Sequence, residues 1–147
     1  MAGKLRHLGI SCSDPQKTAD FYIKAFGMRK IGEISPDHVG AAGIYLTDGV
    51  MNMTIIKFKT VEYAGEEFGT DFVGLHHIGF HVDDHAEARA AIEAAGGKYM
   101  WPGGLDHQKY RDADNLIIEV SQDGFSTEPS AAAAVNTGGG PKAAAKA

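Results

Sequence analysis

The chain repeats itself, and that limits what it can fold into more than any other feature. His7-Leu8-Gly9-Ile10-Ser11-Cys12-Ser13-Asp14 and His77-Ile78-Gly79-Phe80-His81-Val82-Asp83-Asp84 both read histidine, apolar, glycine, apolar, variable, apolar, variable, aspartate. The offset of 70 that aligns them also pairs Ala25 with Ala95 and Gly27 with Gly97. A constant offset over this length marks two copies of one supersecondary unit.

Each copy opens on alternation, the pattern of a half-buried strand. Leu8, Ile10 and Cys12 oppose His7, Gly9, Ser11 and Ser13; Ile78, Phe80 and Val82 oppose His77, Gly79, His81 and Asp83. Both lead histidines leave their strand on its polar side. A helix follows each strand. Asp14 caps the first, with Pro15 at its first position, Gly27 past its end and an expected stripe of Phe21, Tyr22, Ala25 and Phe26. Asp84 and Glu87 resemble a capping box for the second, which is lined by Ala88, Ala91, Ile92 and Ala95 and stopped by Gly96-Gly97. Three strands are expected after each helix, over about 28–34, 42–47 and 51–58, then about 98–101, 107–112 and 115–121. The fold class is therefore α+β, with two βαβββ modules, 4–58 and 75–122. A linker, 59–74, joins them within a single domain over 1–125. The tail 126–147, mostly Ala, Gly and Lys towards its end, reads as disordered.

Composition removes several classes of function. A net charge of −5 argues against a non-specific nucleic-acid binder. No run of about 20 apolar residues is present to span a membrane. The first residues are charged and lack the apolar stretch of a signal peptide, so a cytoplasmic location is expected. One cysteine, Cys12, excludes a disulfide framework within the chain and a Cys-based zinc site. No phosphate-binding loop, dinucleotide fingerprint or serine-hydrolase elbow occurs. Seven histidines are the main hint of chemistry.

The final expected strand, Leu116-Ile117-Ile118-Glu119-Val120, sets one carboxylate among apolar neighbours. A buried carboxylate needs a partner, and a divalent cation is one. In the first copy, an offset of 67 matches Asn52 to Glu119 and an offset of 65 matches Thr54. Both lie on one strand face; Asn52 is preferred because an amide oxygen is the better ligand. If a pseudo-twofold axis relates the copies, His7, His77, Glu119 and Asn52 converge. Such a set suits Fe, Mn, Ni, Co or Zn. His81, His107, Tyr110 and Thr54 are the further candidate pocket residues. His38, His76 and His85 read as surface or packing residues, Met100 and Trp101 as core, and Glu66 and Glu67 as a solvated loop.

The repeated His-x-Gly strand starts, the Asp-Pro…Phe-Tyr…Phe-Gly run from Asp14 to Gly27, and the stretch Tyr110-Arg111-Asp112-Ala113-Asp114-Asn115-Leu116-Ile117-Ile118-Glu119 resemble the vicinal oxygen chelate superfamily. That superfamily includes glyoxalase I, methylmalonyl-CoA epimerase, extradiol dioxygenases and metal-free bleomycin-resistance proteins. The resemblance covers about residues 4–122; it departs at Ala113, where the family often has Pro, and lacks the Gly before Asn115. It implies that the two modules form a cupped mixed β-sheet with the helices on the outside, and that the metal ligands are His7, Asn52, His77 and Glu119. An amide at position 52 fits an epimerase-like or dioxygenase-like site better than a glyoxalase.

Three functions follow as expectations. The first is a metal-dependent isomerase, epimerase or glyoxalase-like lyase that chelates a small substrate through adjacent oxygens and stabilises an enolate, with Glu119 also moving the proton. The second is a non-haem Fe(II) extradiol-type dioxygenase using the same residues. The third is a metal-free protein that sequesters a small molecule. A homodimer is expected in each case.

Overall fold

A computed structural model describes residues 2–101 and 107–129. It contains eight strands: β1 (Lys4–Ser11), β2 (Arg29–Glu33), β3 (Ala41–Thr47), β4 (Asn52–Phe58), β5 (Gly74–His81), β6 (Lys98–Trp101), β7 (His107–Arg111) and β8 (Ile117–Ser121). Three helices are described, α1 (Pro15–Phe26), α2 (Val61–Ala64) and α3 (His85–Ala94). The strands form one mixed, open sheet in the order β2-β3-β4-β1-β5-β8-β7-β6. Outward from the β1/β5 seam, both halves run first strand, fourth strand, third strand, second strand. The first and fourth strands pair in parallel in each half, whereas β1 and β5 pair antiparallel. This is the expected pair of βαβββ modules, related across the seam by a pseudo-twofold axis.

The seam explains the His-x-Gly repeat. In the β1/β5 register His7 lies opposite Gly79 and Gly9 opposite His77. Each histidine packs over the other copy's glycine. A Cβ on Gly9 would lie 2.1 Å from a ring carbon of His77, and one on Gly79 would lie 2.7 Å from both the Cβ of His7 and the ring of Phe125. Neither glycine can carry a side chain while the histidines stay in place.

Both helices start as the sequence indicates. Asp14 accepts from the Lys17 amide at 3.1 Å, and Asp84 from the Glu87 amide at 2.8 Å. Gly27 ends α1 in the left-handed conformation at φ 68°. The face that α1 buries differs from the expected one. Phe21 and Phe26 are 58% and 70% exposed, while Ala19, Tyr22 and Ile23 pack on Ile44, Leu46, Met53 and Ile55. Both stripes satisfy helical spacing. The small Ala19 decides between them, because it lets the helix lie close on the sheet. In the second half, Val82, Ala88, Ile92, Tyr110, Val120 and neighbours form the matching cluster under α3.

The helices cover one face of the sheet and leave the polar face of β1 and β5 inside the cup. His7, Gly9 and Ser11 are buried there, as are His77 and Gly79. The linker contributes as well. Thr60 caps α2, and Lys57 Nζ bonds the Thr70 carbonyl at 2.5 Å and Asp71 at 3.2 Å, so this segment lies against the sheet. In the β7–β8 turn, Asp112 Oδ1 accepts from Asp114 and Leu116, and Asn115 takes a positive φ of 67°. Asparagine tolerates that region, so the turn closes without the family's glycine. Of the expected tail 126–147, residues 130–147 lie outside the described residues, while the Ser126 carbonyl accepts from Asn52 Nδ2, and Phe125 just before the tail stacks on His7. No described helix is long and apolar enough to cross a membrane.

Candidate metal centre

His7, His77 and Glu119 each place a ligand atom within 4.8 Å of the others, and all three are buried. Nε2 of His7 is 3.0 Å from Nε2 of His77, and His77 Nε2 is 3.5 Å from Glu119 Oε2. Three residues that are far apart in sequence thus meet where the two halves join.

The hydrogen bonds behind the two rings fix their tautomers. Asn52 Nδ2 donates to the Ser126 carbonyl at 2.8 Å, which turns Oδ1 towards His7. Oδ1 can only accept, so the 2.7 Å contact requires His7 Nδ1 to carry the proton. On the other side, His76 Nε2 donates to the Ala64 carbonyl at 2.6 Å. His76 Nδ1 therefore accepts, and the proton of its 2.9 Å contact belongs to His77 Nδ1. Both rings are neutral. Burial lowers His7 to about 4, with Glu119 and Asn52 pulling the other way, and burial together with the Lys109 charge takes His77 well below the usual 6.5. The two Nε2 lone pairs then face each other with no proton between them. Such a pair repels unless a cation lies there. The donor set, two imidazole nitrogens and a carboxylate, fits a borderline divalent metal.

The carboxylate is held in its charged form. Burial pushes Glu119 up, but the Lys109 ammonium, the His107 hydrogen bond and charge, and His77 outweigh it and hold it well below the usual carboxylate range. His107 Nδ1 bonds Oε1 and Lys109 Nζ bonds Oε2. An anion held this firmly is a good metal ligand and a poor proton acceptor, which weighs against Glu119 as the group that moves the proton.

The strand registers bear on the fourth position. Gly9 pairs with Thr54 in β1/β4, and Gly79 with Glu119 in β5/β8. Since Gly9 and Gly79 are the repeated glycines, Thr54 is the counterpart of Glu119, and the offset of 65 is the structural one. Asn52 sits one pleat away with both ends of its amide engaged, Oδ1 on His7 and Nδ2 on Ser126. Its Oδ1 orients the His7 ring and keeps one further lone pair. Thr54 is buried on the same face.

The remaining candidates separate. His107 joins the cluster through Glu119. Tyr110 does not line the cup: it is fully buried under α3, its hydroxyl donates to Gln108 Oε1 at 2.6 Å, and its ring packs on Tyr99. The reason is strand alternation, which puts His107 and Lys109 on one face of β7 and Tyr110 on the other. His81 stands apart from the cluster, its Nε2 donating to the Gln122 carbonyl at 3.1 Å. Glu67 pairs with Arg111 and so ties the linker to β7. Met100, expected in the core, lines an open cleft with Glu62, Glu66, Glu67 and Arg111.

Sequence reasoning missed Lys109, His76, Phe125, Tyr45 and Ser11. The alternation of β7 places Lys109 beside His107 and was the available signal. Phe125 stacks on His7, with ring centroids 4.6 Å apart and planes 4° apart, and meets His107 edge-on. No local pattern points to that contact. Ser11 Oγ and Tyr45 OH are buried without a hydrogen-bond partner among the described residues.

The superfamily model for Glyoxalase/Bleomycin resistance protein/Dioxygenase matches residues 4–120, and the chain belongs to this superfamily. Similar solved structures include a variant of the Streptomyces coelicolor methylmalonyl-CoA epimerase in complex with 2-nitronate-propionyl-CoA, at 18% identity and TM-score 0.65, covering 82% of this chain and 96% of that one. A hypothetical protein from Bacillus halodurans matches at 19% identity and TM-score 0.67, over 88% of this chain and 99% of its own. The Mycobacterium tuberculosis methylmalonyl-CoA epimerase matches at 16% identity and TM-score 0.64, over 86% and 87%. At these identities the likeness is one of fold. No curated protein matches the chain significantly.

Proposed function

We propose that the chain is a divalent-metal-dependent enzyme of the epimerase or isomerase type. Its substrate would be a small molecule with two neighbouring oxygens, such as an acyl thioester or a 2-oxoacid. The observation that carries this reading is the pair of imidazoles locked with their lone pairs facing each other beside an ionised carboxylate. His7, His77 and Glu119 would hold the ion, and open positions would be left for substrate. When bound, the cation supplies Lewis-acid stabilisation of the charge that develops on a substrate oxygen as a C–H proton leaves. Asn52 keeps His7 in the ligating tautomer. Lys109 and His107 keep Glu119 anionic. His107 bonds Glu119 through Nδ1, which leaves its Nε2 outside that contact, and we assign it rather than Glu119 to move the proton. Ser11 and Tyr45 supply hydroxyls that lack a partner, and an unpaired buried hydroxyl costs about 1–3 kcal/mol. A substrate oxygen would satisfy them. The epimerase structures that share the fold, including one in complex with methylmalonyl-CoA, support a thioester as the first substrate to try.

A second reading has its own support. The three side chains whose ligand atoms converge are two histidines and one carboxylate, the arrangement of non-haem Fe(II) oxygenases. Elemental analysis of wild type and His77→Ala, both purified without chelator, tests the two together. Nickel, cobalt, manganese or zinc near one per chain, lost in the variant, supports the isomerase, and exchange of the α-proton of thioesters in deuterated water then follows. Iron lost in the same way supports the dioxygenase, and oxygen uptake with catechols follows. No metal in wild type, and none taken up from added salts, overturns both and leaves a small-molecule binder.

A further inference from the structure

We infer that His76 is a positioning residue. It fixes which nitrogen His77 turns to the metal and ties that choice to the linker between the modules. The inference rests on the metal-centre reading above for its purpose, although its geometry stands independently.

His76 neighbours a candidate ligand in sequence, but in the β1/β5 register it is the extra residue of a bulge, Gly9 pairing with His77 and Ile10 with Leu75, so its side chain does not follow simple alternation. His76 is 4% exposed, and its ring meets that of His77 at 87°, with centroids 5.2 Å apart. Phe58 and Phe68 hold it, with ring centroids at 4.6 Å and 4.4 Å. Phe58 ends β4 and Phe68 belongs to the linker, so the cage closes only when the linker is in place. Within the cage both nitrogens are used. Nε2 donates to the Ala64 carbonyl at the end of α2, at 2.6 Å, and Nδ1 lies 2.9 Å from Nδ1 of His77.

A carbonyl oxygen is an acceptor only. It therefore decides the whole chain of protons: His76 carries its proton on Nε2, His77 on Nδ1, and His77 Nε2 is left as the lone pair. A backbone atom of the linker thus sets the ligating nitrogen of a residue in β5. Module 1 has a parallel device, in which the Ser126 carbonyl fixes Asn52 and Asn52 fixes His7. Each histidine of the centre is oriented by a carbonyl from a segment outside the βαβββ modules. Partners of this kind change metal affinity by about 10–100-fold when removed.

The test compares wild type with His76→Phe and His76→Asn. Phenylalanine keeps a ring between Phe58 and Phe68 and removes both hydrogen bonds. Asparagine restores an acceptor near the Nδ1 position. The 15N shifts of the histidine side chains in the metal-free chain report tautomers directly, and a competition titration with Zn(II) reports affinity. The expected result is one His77 tautomer in wild type, protonated on Nδ1, and a mixture in His76→Phe with Zn(II) affinity lower by 10–100-fold. His76→Asn should recover the tautomer and most of the affinity. An unchanged His77 tautomer in His76→Phe, or a wild-type His76 protonated on Nδ1, overturns the inference. If wild type binds no Zn(II), the metal-centre reading fails, while the tautomer result still decides the role of His76. If both variants fail to fold, the wild-type shifts of His76 and His77 decide it alone.

Discussion

The two halves share a topology but not a chemistry. Module 1 places His7, Asn52 and Thr54 in the cup, all uncharged at neutral pH. Module 2 places His77, Glu119, His107 and Lys109 there. At the strand position where module 2 has Glu119, module 1 has Thr54. The pseudo-twofold axis duplicates the scaffold and brings two histidines to one point. The charge comes from one half only. Duplication therefore explains where the site is, and divergence explains what it can bind.

Substitution at the matched fourth strands tests that asymmetry most strongly. Glu119→Gln leaves the Lys109 ammonium buried without its counter-charge, and breaking a buried pair costs about 3–5 kcal/mol. Thr54→Val removes one hydroxyl and no charge, for about 1 kcal/mol. Urea denaturation of the two variants should differ by that margin, and equal losses would mean that the charge is not concentrated in module 2.

The seam glycines come next, where the halves should behave alike. Gly9→Ala and Gly79→Ala each force a side chain into a histidine of the other copy, at up to about 3 kcal/mol for overpacking. Each should also abolish metal uptake, measured by elemental analysis, because the displaced histidine is one of the ligands proposed above. Normal metal content in either would break the reciprocal packing.

Acid stability is a smaller effect with a share from each half. His7 and His76 titrate near 4 in the folded chain, lowered chiefly by burial from 6.5. The unfolded chain binds protons that the folded one refuses, so the metal-free protein is fully stable above pH about 6.5 and weakens as pH falls towards 4. The slope is up to about 1.4 kcal/mol per pH unit for each ring. His76→Phe should remove one ring's share, seen in melting curves at successive pH values. A slope unchanged by that variant would mean that His76 is not held neutral.

Tyr110→Phe is expected to have the least effect. It removes the bond to Gln108 on the helix side of the sheet, for about 1 kcal/mol, and should leave metal content at the wild-type level. Loss of metal in this variant would return Tyr110 to the cup.

Much of this was written in the order of residues. The offset of 70, the alternation after each lead histidine and the caps at Asp14 and Asp84 specify two βαβββ units. Periodicity is a local property, so a strand or helix carries it regardless of what it later packs against. His7, His77 and Glu119 were legible for the same reason, since the repeat marks two of them and an apolar strand marks the third. Register between strands is not local. Whether Asn52 or Thr54 matches Glu119 depends on the lengths of turns and on how β4 lies beside β1, and the sheet chose Thr54. The buried stripe of α1 was settled by the surface it rests on. The contacts of His76 with Ala64 and of Asn52 with Ser126 join segments 12 and 74 residues apart. Hydrogen-bond partners at such separations are set by how the whole chain packs, and so only the tertiary structure decided which nitrogen of each histidine faces the centre.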